Sequence, residues 1–188
     1  MKFKINYPAL QPLTVLFTRG SGLVSGGIAL VRHGLSGLQD PGFPTHALLV
    51  TEDNTQLFGT EETPAGLVEN SLEKYTDSSN RIVAAYRWDG WKEGNRAVYA
   101  MEYLATIRRR NLESSRYDFF GLLSFVPGLK RLFKPDPQKQ WCSENVASIH
   151  KSYGASFIDK TTLSPDQLLL LMQASPDCYC ILNYYVKP

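Results

Sequence analysis

The chain has little of what assigns a protein by composition. Its 188 residues include only three cysteines and three histidines. So small and odd a cysteine count excludes a disulfide framework and fits a reducing compartment. No charge dominates: 20 Lys and Arg stand against 18 Asp and Glu, a net +2 that is too balanced to indicate nucleic acid or a membrane surface. No apolar run approaches the roughly 18 residues of a membrane span. The stretch Met1 to Leu16, broken by Pro8 and Pro12, has no apolar core of a secretion signal. The expected location is cytoplasmic, or virion-associated and delivered by a phage particle or a dedicated secretion machine. Gly20-Ser21-Gly22 lacks the lysine of a P-loop and the spacing of a dinucleotide fingerprint. There is no internal repeat and no low-complexity segment. What remains, 43% apolar and 20% charged, is ordinary for a globular chain. The length suits one domain over residues 1–188 with a substantial core.

The patterns alternate between strand and helix. Leu13 to Arg19 reads as a first strand, and Leu23 to Val31 as a short buried helix ending at His33-Gly34. Gly37 to Pro44 reads as a loop. His46 to Thr51 and Gln56 to Glu62 form the arms of a hairpin, and Leu67 to Leu72 a short strand or turn. Arg81 to Trp88 is another strand. Lys92 to Asn111 carries the longest helical pattern, with Val98, Met101, Leu104, Ala105 and Ile107 facing inward. Tyr117 to Phe125 is apolar, and Pro127 to Pro137 is an irregular basic loop. Ser164 as N-cap with Pro165 at the first position opens a helix to about Gln173, and Cys178 to Val186 is the last strand. The sum is α+β: an antiparallel sheet with helices packed against it.

The chemistry centres on Gln140 to Gly154. Val146, Ile149 and Tyr153 recur at helical spacing, Gly154 is a natural stop, and Ser143 is an N-cap or first-turn residue. Cys142 would then lie at the positive end of a helix, which favours thiolate over thiol. Taken alone, Cys142 also reads as a buried structural thiol, since free cysteine is among the most buried residue types. His46 opens a strand directly after a loop, where the strand fixes its backbone while the ring stands at the sheet edge. Glu61 and Glu62 end the opposite arm of the hairpin. A carboxylate there can fix the imidazole tautomer, and side-chain alternation allows only one of the two to do so. A strand-opening His, a neighbouring Glu and a helix-opening Cys are the parts of a thiol hydrolase site.

Other groups suit less. His33 has no acidic neighbour in sequence, and His150 sits about 12 Å along the helix from Cys142. Cys178 and Cys180 have no second pair to complete a zinc site and read as core and surface strand positions. Arg108 to Arg110 suit a solvated helix end. A nucleic-acid role for them, with the basic stretch Lys130 to Lys139, would require steeply salt-dependent binding.

Six stretches, taken together, resemble the circularly permuted branch of the NlpC-type, papain-like cysteine hydrolases, the YiiX/YebB-like group. They are Val15 to Gly20, Thr45 to Val50, Glu61 to Leu67, Val83 to Arg87, Tyr117-Asp118 to Gly121, and Trp141-Cys142-Ser143-Glu144. In this group the histidine strand precedes the cysteine helix. The resemblance implies a permuted papain-like fold, with Cys142 as nucleophile and His46 as general base and later acid. Glu61 would orient His46, or Glu62 if the register is off by one. Tyr117 would offer an aromatic hydroxyl near the site, and the Cys142 N–H would be an oxyanion donor. Thr45 replaces the commoner serine before the histidine, and Trp141 precedes the cysteine. The implied substrate is a peptide amide, with bacterial cell-wall peptidoglycan peptides leading and a lipid ester or acyl transfer second. No metal or organic cofactor is required. A catalytically idle binding or structural module, such as a phage virion component, is the alternative class. Oligomeric state is not indicated.

Overall fold

The computed structural model describes residues 10–21, 23–40, 42–53, 56–63, 66–75, 80–90, 98, 102, 105 and 141–183. Within them six strands form one antiparallel sheet. They are β1 (Val15–Gly20), β2 (His46–Asp53), β3 (Gln56–Thr63), β4 (Gly66–Ser71), β5 (Asn80–Trp88) and β6 (Cys178–Asn183), in the order β4-β3-β2-β1-β5-β6. The helices are α1 (Leu23–Gln39), α2 (Cys142–Ser152) and α3 (Pro165–Ala174), with a 3-10 turn at Leu72–Tyr75. This is the α+β arrangement expected. No helix among the described residues is long and apolar enough to cross a membrane.

Both faces of the sheet are covered, and period-two alternation divides the apolar residues between them. Val15, Phe17, Ala47 and Leu49 join the cluster that holds Val146 and Ala147 of α2 and Leu168, Leu169 and Met172 of α3. Leu16, Leu48 and Val50 point the other way, to Leu72 and Tyr75 of the 3-10 turn. The register is fixed by pairs such as Thr18↔His46 and Leu49↔Thr60. α3 starts as its sequence dictates, with Pro165 in the first turn and the Gln167 side-chain oxygen accepting the Ser164 N–H at 3.1 Å. Arg32 of α1 clamps Asp166 of α3 through two N–H groups, at 3.3 and 2.9 Å.

Two expectations need correction. The first helix breaks at Gly34 as expected, but it is not wholly buried, and the Gly37–Gln39 end of the expected loop is helical. Gly34 adopts φ 61° and ψ −150°, and the chain resumes a helical course to Gln39. Glycine meets this kink without the Cβ clash that would stop another residue. Leu35 beyond it is 73% exposed, and Leu30 is also exposed. The second correction concerns Val98 and Ala105, which are helical yet exposed, so the inward face assigned to Lys92–Asn111 does not hold at these two positions. Glu102 is likewise helical and exposed; the other residues of that segment, Tyr117–Phe125, Pro127–Pro137 and the end of the last strand beyond Asn183 lie outside the described residues.

Candidate active site

The site is built where β2 begins. Thr45 is tied to β1 twice: its N–H donates to Thr18 O at 2.9 Å, and its hydroxyl accepts the Gly20 N–H at 3.2 Å. A serine hydroxyl could accept the same bond. With Thr45 anchored and Thr18 paired to His46, the backbone under the imidazole is fixed while the ring remains at the rim.

Cys142 is the first residue of α2. Trp141 before it is extended, at φ −105° and ψ 171°, and caps the helix without a side-chain bond. Two donors pin this end to one carbonyl: Trp141 Nε1–H reaches Leu163 O at 3.0 Å and the Ser143 hydroxyl reaches it at 2.5 Å. Ser143 is thus a first-turn residue that anchors the helix. The Cys142 side chain is 1% exposed. Burial pushes its thiol up, but the charge and hydrogen bond of His46, with backbone N–H bonds from Ala47 and Ser143, outweigh that and hold it below its ordinary value. The sulfur therefore meets both the His46 ring and the helix tip.

His46 answers in kind. Its burial lowers the affinity for a proton, yet the Cys142 charge and hydrogen bond and the Glu61 carboxylate raise it to about 10. Nε2 lies 2.5 Å from Glu61 Oε2, leaving Nδ1 as the nitrogen that faces the sulfur. Glu61 is buried, which would raise its pKa. The hydrogen bond and charge of His46, followed by bonds from Lys74 and Tyr75, instead hold it at about 2. The choice between Glu61 and Glu62 thus falls to Glu61.

The partners of the other carboxylate oxygen were not among the expected site residues. Glu61 Oε1 accepts from Lys74 Nζ at 2.6 Å, Asn70 Nδ2 at 2.7 Å and Tyr75 Oη at 2.8 Å. Tyr75 reaches it because β3 carries Gly59 beneath the ring. A Cβ there would stand 2.5 Å from Tyr75 Cε2 and 2.8 Å from Leu48 Cδ1. A glycine inside a strand signals such a close approach, and Gly59 was the clue available in the sequence.

The remaining candidates are not seen at this centre among the described residues. Tyr117 lies outside the described residues, as does the side chain of His33. His150 is buried on α2, its Nδ1–H donating to Val146 O at 2.9 Å, and burial lowers its pKa to about 4. Cys178 is half-buried, and burial pushes its thiol up to about 11. Cys180 is exposed.

No protein-family model matches this sequence. No curated protein matches it either. Among solved structures the fold is similar to that of the metalloprotein YiiX from Escherichia coli O157:H7. The TM-score is 0.58, with 13% identity over 94% of this chain and 98% of that one. At that identity the likeness is one of fold. The neighbour's description invites a test for a metal. Among the described residues no three His, Cys, Asp or Glu side chains are grouped to hold one. Both nitrogens of His46 are engaged, one by Glu61 and one by Cys142. The described side chains do not fit a metal centre.

Proposed function

We propose that this protein is a cysteine hydrolase of the circularly permuted, papain-like (NlpC) kind, cleaving an amide or ester through an acyl-enzyme on Cys142. The observation that carries the proposal is the place of His46, its ring held between the Glu61 carboxylate and the Cys142 sulfur. The chain order, base strand before nucleophile helix, supports the permuted form, and the fold likeness to YiiX is in keeping with it.

The chemistry follows from the charges. The Cys142 thiolate attacks the substrate carbonyl carbon, forming a C–S bond as the C=O electron pair moves to oxygen. The Cys142 backbone N–H at the tip of α2 is the proposed donor to that oxyanion. The tetrahedral adduct collapses, and the departing amine or alcohol takes the proton held on His46 Nδ1. Water then attacks the thioester, giving a proton back to His46 and releasing the acid and the thiolate. Glu61 keeps the ring in the orientation these transfers need. Peptide amides, and bacterial cell-wall peptides first among them, are the leading substrates, with lipid esters second.

The test is direct. Purified peptidoglycan fragments, a peptide library and a panel of lipid esters are incubated with the protein and with Cys142→Ala, and products are identified by mass spectrometry. The expected result is a Cys142-dependent product in one class, with a trapped acyl adduct on Cys142. If no class yields such a product or adduct, the proposal fails.

A further inference from the structure

One oxygen of Glu61 serves His46, while the other gathers three donors from a single short stretch, Asn70 to Tyr75. Two of these, Asn70 and Tyr75, are neutral and suffice to hold a carboxylate in place. The third is an ammonium at 2.6 Å. Cys142, His46, Glu61 and Lys74 therefore form a succession of paired groups whose charged forms alternate in sign.

We propose that Lys74 is a positioning residue of this site, acting through Glu61: its ammonium draws on the carboxylate's charge, so that His46 keeps a proton it is still able to give to a leaving group. This rests on the hydrolase proposal above. A carboxylate without a counter-charge would bind the imidazolium proton more firmly, making His46 a weaker acid. Asn70 and Tyr75 preserve the carboxylate's orientation when Lys74 is changed. The charge effect is thereby separable from geometry.

The experiment needs no substrate. The pH dependence of Cys142 alkylation by iodoacetamide, read by peptide mass spectrometry, has two inflections when thiolate and imidazolium are paired: one for thiol ionisation, one for loss of the imidazolium proton. In Lys74→Met and Lys74→Gln the upper inflection is expected to move to higher pH by about half a unit or more. Lys74→Arg is expected to restore the wild-type profile. The Lys74 side chain is 41% exposed, so salt at about 1 M should shrink the difference by screening. Variants whose profiles superimpose on the wild type, or an arginine that fails to restore it, overturn the role of Lys74 and leave the hydrolase proposal standing. A wild-type profile with a single ordinary thiol inflection overturns both.

Discussion

Nε2 of His46 lies 2.5 Å from Oε2 of Glu61, an ion pair that sets the direction of the whole site. It commits one face of the imidazole to the carboxylate and turns the other towards Cys142. Glu61→Gln keeps the side-chain shape but removes the charge. The upper inflection of the Cys142 alkylation profile should fall by about one unit or more, the opposite direction from the Lys74 variants. Should Glu61→Gln leave that inflection in place, the carboxylate is not what raises the His46 pKa.

The three thiols should separate by chemistry. His46 holds the Cys142 thiol below its ordinary value, whereas burial pushes that of Cys178 up to about 11. Iodoacetamide is expected to label Cys142 at least ~10-fold faster than Cys178 despite its burial. His46→Ala should abolish that advantage. Equal, slow labelling of both would favour an idle binding module.

His46→Ala should also lower kcat/KM on a cleaved substrate by roughly 10² to 10⁴-fold, the usual contribution of a positioned acid and base. The loss is measured against Cys142→Ala in the same assay. A variant within a few-fold of wild type would remove His46 from the reaction.

Stability should fall on both sides of neutrality. His150 takes its proton with difficulty when folded, at about 4 instead of 6.5, so its contribution is present above 6.5 and is lost as pH falls towards 4. For this fully buried group the loss reaches about 3 kcal/mol. Glu61 adds a second loss between 4.5 and about 2. On the alkaline side, His46 contributes below 6.5 and loses that contribution as pH rises through about 10. The lowered Cys142 thiol works in the opposite direction, its contribution being present above 9.0 and lost as pH falls. Urea midpoints from pH 3 to 10 test this, and His150→Phe should flatten the slope between 6.5 and 4.

Gly59→Ala places a methyl 2.5 Å from the Tyr75 ring. The ring must move, so destabilisation of about 1–3 kcal/mol is expected, together with slower Cys142 chemistry as Glu61 loses a donor. Unfolding curves paired with the alkylation rate check it. Lost stability with unchanged Cys142 reactivity would show that Tyr75 packs without positioning.

Much of the architecture was written locally. Strand alternation around β2 and β3, the Ser164-Pro165 helix start and the stop at Gly154 rest on interactions within a few residues, and each appears where its pattern places it. The break at Gly34 was legible, because glycine reads as a helix end, but the second helical stretch to Gln39 was not.

The sequence by itself determined that a histidine opens a strand, a glutamate closes its partner, and a cysteine opens a helix, because capping, turns and alternation are short-range. Tertiary structure alone decided that these meet, that Glu61 is the one to face His46, and that Asn70, Lys74 and Tyr75 hold its other oxygen. Such contacts join segments far apart in the chain or lie on a turn without periodicity. A hydrogen bond between them leaves no trace in the order of residues.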